Sequence, residues 1–316
     1  MLGESRTVER EATGRYRSGK GRKTVRRYDY EVFLKRKTEG SVICASCGVL
    51  VGVQDDRCYN CGRRNPGLWG YAPALRSLGQ DLGFIPLMTG ATIVLYALSL
   101  LLSRGNVQMM TLSPSGEILF LLGASGALPV FEFGRWWTLL TAGWLHGGVL
   151  HILFNVLWIR QLGPAIAEVY GPARMIIIYT FASIAGFALS SAAGQFLWWM
   201  PVPFLRGAQI TVGASAAIFG LLGAAVYYGR RSGSSAASQI GLQYAVILGI
   251  FGLIFPGVDN YAHAGGFLGG YATSFVLDPL KSERVDHMVI AGVCLLATLL
   301  AIIASFVTAL PLLLGQ

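Results

Sequence analysis

Three of the four histidines lie within or at the ends of apolar segments, where an ionisable side chain is expensive and marks a candidate functional residue. They are His146, His151 and His263. His151 and Asn155 are four residues apart, which places both side chains on one face of a helix. Two such hydrogen-bond donors near the start of a membrane helix can converge on a developing negative oxygen. His146 points about 140° away from His151 on an ideal helix, and we interpret it as a structural hydrogen-bonding residue.

A serine and the third histidine can supply a nucleophile and its base. Ser215 begins a segment with glycine or alanine at 213, 216, 217, 220, 223 and 224, and His263 is followed by glycine at 265, 266, 269 and 270. Small residues let two membrane helices approach closely, so these two faces can bring Ser215 and His263 within hydrogen-bonding distance. The alternative for each histidine alone is a hydrogen bond that joins neighbouring helices, and packing is the main role of the glycines in either case.

The elements that must position these residues are membrane helices. The chain has 316 residues, of which 53% are hydrophobic and only 13% charged, and its mean hydropathy is +0.55. This composition excludes a disordered protein. Residues 1–83 contain 16 of the 25 Lys and Arg residues, and the remaining 233 residues have too few charges to solvate a water-soluble domain of that size. The C-terminal three quarters therefore reads as membrane protein.

We predict seven membrane spans. All of them must be helices, because backbone N–H and C=O groups without hydrogen bonds cost too much free energy in the hydrocarbon core. The first span, 84–103, is long enough for a hydrocarbon core of about 30 Å. Residues 104–146 have only short apolar runs and are expected to lie partly in the interface. The excess of Lys and Arg in the N-terminal part predicts a cytoplasmic N-terminus, which puts the early parts of the spans with His151, Ser215 and His263 on the outer side. The other predicted spans are 147–163, 173–193, 213–229, 239–256, 261–278 and 288–310.

Four of the five cysteines form the pattern Cys-x2-Cys-x10-Cys-x2-Cys, at 44, 47, 58 and 61. Two such pairs can hold Zn(II) in a tetrahedron of thiolates, and the glycine after each pair permits the tight turn. Cys44, Cys47, Cys58 and Cys61 are thus predicted ligands of a structural zinc that leaves no open position for catalysis. Two disulfides, an iron–sulfur centre and four free cysteines are the alternatives, and a reducing cytoplasm disfavours disulfides.

The N-terminal part has no secretory signal pattern, since residues 1–40 are polar and basic. Its basic excess is explained by retention in the cytoplasm and attraction to anionic lipid headgroups, so no nucleic acid partner is expected. Trp69, Tyr71, Trp198 and Trp199 are candidate interface anchors. We predict a basic, disordered tail (1–40), a zinc-ribbon-like module (41–66), an interfacial linker (67–83), a membrane core (84–280), and a linker with a seventh helix (281–316).

Taken together, the motifs resemble those of the rhomboid intramembrane serine proteases. The resemblance covers residues 84–280 and rests on His151-x3-Asn155, Gly213-x-Ser215 and His263-x2-Gly266-x3-Gly270, in the order and on the spans that this family uses. It implies an all-α polytopic fold with a six-helix core, to which this chain adds a seventh C-terminal helix and the cytoplasmic zinc-ribbon-like module. It further implies Ser215 as the nucleophile, His263 as the general base and acid, and His151, Asn155 and the Ser215 backbone N–H as oxyanion donors. We expect no cofactor in the reaction.

The sequence departs from the family pattern at three places. Ala216 stands where glycine often follows the nucleophile, and Phe219 replaces a frequent tyrosine, keeping a ring beside His263 without its hydroxyl. The frequent Trp-Arg pair appears as Arg135 followed by two tryptophans, which leaves the role of the arginine open. Gly123-Ala124-Ser125-Gly126 matches the nucleophile motif more closely than residues 213–216 do, but it lies in a segment too short to span the membrane, and we expect no catalytic role for Ser125.

The expected function is hydrolysis of peptide bonds in or near the transmembrane segments of membrane-anchored proteins. Asp259, after a Pro-Gly turn, is interpreted as a loop residue or a helix cap and not as a third catalytic residue. The expected partners are these substrates, the lipid bilayer and, as a further hypothesis, a cytoplasmic protein that binds the zinc module. We expect an integral, multi-pass protein of a bacterial plasma membrane. A non-proteolytic rhomboid-like binder or chaperone is the alternative function, and a transporter is disfavoured because no internal repeat is visible.

Overall fold

The structure is a computed structural model that describes residues 36–77, 79, 81–103, 105–202, 205–255 and 257–313. Most of the predicted basic tail, residues 1–35, lies outside the described residues. Within the described part, a two-stranded antiparallel sheet precedes ten α-helices. The strands are β1 (Ser41–Ile43) and β2 (Leu50–Gly52). The helices are α1 (Ala72–Ser77), α2 (Phe84–Leu102), α3 (Gly116–Leu122), α4 (Thr138–Thr141), α5 (Val149–Tyr170), α6 (Pro172–Phe196), α7 (Ser215–Ser232), α8 (Ser235–Ile254), α9 (Asn260–Leu277) and α10 (Val285–Leu313).

The seven long helices begin and end within a few residues of the predicted spans, except that α5 continues seven residues further. Five of them, α2, α5, α6, α8 and α10, are long and apolar enough to cross a membrane. These five helices establish a mostly helical, multi-pass membrane fold. The other two, α7 and α9, are richer in glycine, alanine and polar residues and do not meet that criterion. A count of seven spans therefore stays a prediction.

The centre of the bundle is formed by α6, α7 and α9, which pack against one another through small residues. A methyl group added at Gly266 in α9 would lie 2.7 Å from the carbonyl carbon of Ala216 in α7. A methyl group at Gly186 in α6 would lie 2.7 Å from the Cβ of Ala216. The glycines thus bring three backbones closer than any larger side chain would allow, as the two small-residue faces predicted.

The segment between α2 and α5 folds into α3, α4, a π-helical turn (Leu128–Glu132) and a 3-10 turn (Ala142–Trp144). Arg135, only 7% exposed, donates hydrogen bonds to the carbonyl oxygens of Phe120 and Leu121 at the end of α3. Its guanidinium also reaches Thr308 of α10, and the indole of Trp137 donates to Ser305 of the same helix. The structural role of this arginine, which the sequence left open, is therefore to hold the segment together and against α10.

Part of the predicted linker packs on the N-terminal module. A Cβ added at Gly67 would lie 2.9 Å from the carbonyl oxygen of Val53 in the module, and the backbone N–H of Lys37 donates to the Gly70 carbonyl. Leu68 is buried, whereas Trp69 is 62% exposed, in keeping with a position at a membrane interface,. The interfacial segment is thus continuous with the module.

Candidate active site

Ser215 is the first residue of α7, and a glycine sets the direction in which the chain enters this helix. Gly213 has φ +125°, a conformation that other residues rarely adopt, and its N–H donates to the Ala142 carbonyl,. A Cβ at this position would lie 2.5 Å from Nε2 of His151. The predicted motif Gly213-x-Ser215 therefore has a physical reason, since glycine lets the loop pass against the histidine ring just before the serine.

The structure brings Ser215 and His263 together. Nε2 of His263, on the first turn of α9, lies 2.9 Å from Oγ of Ser215. The ring of Phe219, one turn further along α7, stacks on the imidazole with ring centroids 4.1 Å apart and an interplanar angle of 12°. His263 is 8% exposed, whereas Ser215 is half-buried. A serine hydroxyl held against an imidazole nitrogen in a confined site is an arrangement that can make the hydroxyl nucleophilic.

No carboxylate orients the other side of the His263 ring, whose Nδ1 is buried without a hydrogen-bond partner among the described residues. Asp259 caps α9 instead, since its carboxylate accepts a hydrogen bond from the Ala262 N–H and another from the Ser190 hydroxyl. The prediction of Asp259 as a helix cap is confirmed. The imidazole is therefore held by the stacked ring of Phe219 and by its hydrogen bond to Ser215.

His151 and Asn155 occupy the first two turns of α5, next to the loop that leads into α7. Nδ1 of His151 accepts a hydrogen bond from the Gly147 N–H at 3.3 Å, so that the proton of the neutral ring is on Nε2, the nitrogen next to Gly213,. Asn155 is 5% exposed, and its Nδ2 donates to the His151 carbonyl at 2.7 Å. The first N–H groups of α7 have no partner within the helix, and the positive end of its dipole favours an anion there.

The structure separates the two other candidates from this pair. Ser125 is fully buried, with Ser191 and Thr138 as its hydroxyl neighbours, and its backbone pairs with Thr211 in both directions. That pairing ties the segment between α2 and α5 to the stretch before Ser215, a role that short-range sequence patterns do not reveal. His146 lies before α5 with its ring edge-on to His151, and neither ring nitrogen has a hydrogen-bond partner among the described residues, so its interpretation as a structural hydrogen-bonding residue stays a prediction.

The four N-terminal cysteines converge on one point. Their Sγ atoms all lie within 4.8 Å of one another, with 3.8 Å between Cys44 and Cys61 and 3.5 Å between Cys47 and Cys58. Four thiolates 2.3 Å from a tetrahedral zinc would be about 3.8 Å apart, whereas a disulfide requires about 2.05 Å. The cluster could therefore hold a metal ion, and each Cys-x2-Cys pair ends in a glycine with positive φ, Gly48 or Gly62.

The thiols of this cluster differ in acidity. Burial opposes the ionisation of Cys47, but hydrogen bonds that include one from the Val49 N–H lower its pKa to about 6. Burial raises the pKa of Cys44 and raises that of Cys61 to about 12. A metal ion must therefore displace protons when it binds, and acid favours its release.

The module also contacts the membrane core. Arg63, two residues after Cys61 and only 4% exposed, donates to the Glu283 carbonyl, and the Ser282 hydroxyl donates to the Cys61 carbonyl. One carboxylate oxygen of Glu283 accepts hydrogen bonds from the Ala173 and Arg174 N–H groups at the start of α6. Burial raises the pKa of this carboxyl, against the opposing effects of Arg174 and Arg63. One short linker thus joins the cysteine module to the beginnings of α6 and α10.

Comparison with known proteins identifies the family to which this region is similar. Residues 133–279 match the sequence model of the rhomboid domain. The chain carries a rhomboid domain. Ser215 and His263, together with His151 and Asn155, all fall inside the matched region, and the family resemblance predicted from the motifs is confirmed.

Three curated relatives illustrate the similarity. Rhomboid protease GluP of Bacillus subtilis is 32% identical over 188 residues, which are 58% of this chain and 34% of the relative. RHOMBOID-like protein 4 of Arabidopsis thaliana is 34% identical over 52% of this chain and 40% of the relative. Rhomboid-like protease 3 of Toxoplasma gondii is 27% identical over 58% of this chain and 65% of the relative. The chain spans about a third to a half of the length of the first relatives.

Proposed function

We propose that this chain is an intramembrane serine protease that uses Ser215 and His263 as a catalytic dyad. The observation that carries the proposal is the distance of 2.9 Å between the Ser215 hydroxyl and Nε2 of His263, at the start of a helix in a rhomboid domain. The names of two similar proteins, Rhomboid protease GluP and Rhomboid-like protease 3, support the same class of reaction.

In the acylation half, neutral His263 accepts the Ser215 proton on Nε2 while Oγ attacks the carbonyl carbon of the scissile peptide. The carbonyl π electrons move to oxygen, and the resulting oxyanion is stabilised by three proposed hydrogen-bond donors. These donors are Nε2–H of His151, the free N–H of the Asn155 amide and the backbone N–H of Ser215. The imidazolium then protonates the leaving amine as the carbon–nitrogen bond breaks, which leaves an acyl ester on Ser215.

Deacylation repeats these steps with water. His263 removes a proton from a water molecule that attacks the ester carbonyl, and the same proton returns to Oγ of Ser215 as the acid product leaves. Without a carboxylate on Nδ1 of His263, the orientation of the ring relies on the stacked Phe219. We therefore expect Phe219 to act by packing against the His263 ring. Its loss should lower the turnover rate without changing the ionisation of His263.

The substrates are proposed to be membrane-anchored proteins cleaved on the non-cytoplasmic side. The starts of α5, α7 and α9 lie together at one end of the bundle, and basic residues gather at the other end. There Arg174 donates to the carbonyl oxygens of Leu277, Asp278 and Lys281, and Arg231 pairs with Asp278. Under the positive-inside bias this basic end is cytoplasmic, which puts the dyad near the outer surface, where hydrolytic water is available.

We also propose that the four cysteines hold structural Zn(II) and that the loaded module braces the cytoplasmic end of the core. The hydrogen bonds between Arg63 and the Glu283 carbonyl and between Ser282 and the Cys61 carbonyl support this role. Zinc would hold the loop that contains Cys61 and Arg63 in one conformation. Arg63 would then hold Glu283, whose carboxylate binds the first N–H groups of α6. The cytoplasmic protein partner of the module stays a hypothesis.

The function is tested with the full chain in detergent or in liposomes, mixed with a model single-span membrane protein. We expect wild type to produce two fragments whose new ends, read by mass spectrometry, lie near the outer boundary of the substrate helix. Ser215→Ala and His263→Ala should each abolish the fragments, while Ser125→Ala should leave them. Binding of the substrate without cleavage by wild type would instead favour a rhomboid-like binder or chaperone.

A further inference from the structure

The C-terminal half of α10 contacts the residues that run from α3 to the end of α4, here called the α3–α4 segment (residues 116–142). Ser305 of α10 is fully buried, and its hydroxyl accepts a hydrogen bond from the indole N–H of Trp137 at 3.0 Å. A Cβ added at Gly123 would lie 2.6 Å from the same hydroxyl oxygen, so the turn after α3 also packs on Ser305. One serine of α10 therefore contacts the α3–α4 segment at two separate places.

Trp137 leads directly to the loop that precedes Ser215. It is the N-cap residue of α4, which is a single helical turn. The carbonyl of Ala142, the residue after α4, accepts a hydrogen bond from the Gly213 N–H at 2.9 Å. Gly213 is separated from Ser215 by one residue. The path from α10 to the proposed nucleophile thus consists of one indole, one turn of helix and one backbone hydrogen bond.

The α3–α4 segment also holds the rest of this loop through its backbone. Five backbone hydrogen bonds join residues 208–213 to the segment, and no other backbone in the described part of the chain bonds to this stretch. Besides the bond from Gly213 to Ala142, they join Ser125 and Thr211 in both directions, Ala127 to Ala208 and Leu128 to Gln209. The position of the loop before Ser215 therefore depends on the position of the α3–α4 segment.

We propose that α10 positions the loop that leads to Ser215, and that Trp137 and Ser305 are the pair of positioning residues through which it acts. Their hydrogen bond holds the start of α4, and the carbonyl after α4 holds Gly213. Gly213 in turn lies against the ring of His151, where an added Cβ would be 2.5 Å from Nε2. The pair therefore sets where the serine lies relative to this proposed oxyanion donor. Its effect on turnover rests on the proposed protease function.

The neighbouring tryptophan provides a matched control. Trp136 is 56% exposed, and its indole N–H has no hydrogen bond among the described residues. Trp136→Phe and Trp137→Phe make the same change at adjacent positions, and only the second removes the hydrogen bond to α10. The control for Ser305→Ala is Thr298→Val, because Thr298 is also buried in α10 but its hydroxyl donates to the Cys294 carbonyl of the same helix, at 2.9 Å.

The first test measures amide hydrogen exchange in the full chain in detergent and requires no substrate. We expect Ser305→Ala and Trp137→Phe each to speed exchange at Thr211 and Gly213 roughly 2- to 10-fold, the value of one net hydrogen bond. The two control variants should exchange at the wild-type rate. Wild-type exchange in either variant of the pair, or equal acceleration in the controls, would overturn the proposal whether or not the protein is a protease.

The second test is a double-mutant cycle on cleavage of the model substrate. We expect Trp137→Phe and Ser305→Ala each to lower kcat roughly 2- to 10-fold with KM unchanged, because the reacting groups move and the substrate contacts do not. The double variant should lose no more activity than the single variants, since each of them already breaks the same hydrogen bond.

Losses of kcat that multiply in the double variant would show that the two residues do not act as a pair. A raised KM with unchanged kcat would assign their effect to substrate binding and contradict the proposal. Absence of cleavage by wild type would refute the protease function, and the exchange measurement would still decide whether α10 positions the loop.

Discussion

Replacing Gly266 by alanine should disable the site without removing any functional group. The added methyl would lie 2.7 Å from the Ala216 carbonyl carbon, and closer still to its oxygen. An ordinary contact of 3.4 Å requires α7 and α9 to separate by about 0.7 Å or more. Ser215 precedes Ala216, and His263 is one turn before Gly266, so a similar shift would lengthen their 2.9 Å hydrogen bond to about 3.6 Å, at which it no longer counts as one,.

A displacement of about 1 Å at reacting groups can lower a rate about 100-fold. We therefore expect Gly266→Ala to reduce kcat by about that factor. Overpacking costs about 1–3 kcal/mol of stability, and the higher helix propensity of alanine offsets part of this cost. The unfolding temperature of Gly266→Ala should therefore be only slightly lower than that of wild type. The matched control is Gly249→Ala in α8, where nothing lies within 4 Å of the added methyl. Rates are measured on the model membrane substrate and stability by thermal unfolding in detergent. Wild-type turnover in Gly266→Ala would refute the reasoning that close helix packing assembles the dyad.

Three further predictions concern other parts of the molecule. Asn155→Ala should lower kcat by a factor that corresponds to about 2.7–4 kcal/mol, with little change in KM, and an unchanged kcat would remove Asn155 from the oxyanion donors. Wild type should contain one zinc per chain by elemental mass spectrometry, whereas Cys44→Ser should lose it and unfold at a lower temperature; a full zinc content in the variant would contradict the ligand assignment. Burial raises the pKa of the Glu283 carboxyl in the folded protein above its usual 4.5. The neutral carboxyl therefore favours folding fully below pH 4.5, and this contribution to stability is lost as the pH rises through the raised pKa of the folded state. Glu283→Gln keeps an oxygen for α6, and its Tm relative to wild type should increase from pH 4.5 upward; a constant difference would contradict this.

The long helices could be predicted because the apolar residues of each segment alone determine that it is helical. A segment of about 20 apolar residues has to be helical in lipid, and α2 begins at the predicted residue,. The helices α7 and α9 carry a weaker apolar signal, and their glycine and alanine spacing identified them instead. The cysteine cluster was also predictable, because two Cys-x2-Cys pairs close small local loops around one point.

Contacts between distant parts of the chain could not be predicted from the sequence. Arg63 meets Glu283 across 220 residues, and Arg135 meets Thr308 across 173. Neither pair belongs to a periodic pattern or a local motif.

The central claim, that His263 makes Ser215 nucleophilic, is tested most directly with a fluorophosphonate probe that forms a covalent bond only with an activated serine. The full chain is labelled in detergent and the modified residue is located by peptide mass spectrometry. We predict one adduct, on Ser215, and its loss in His263→Ala with the fold retained. An adduct on Ser125, or undiminished labelling of Ser215 in His263→Ala, would contradict the claim.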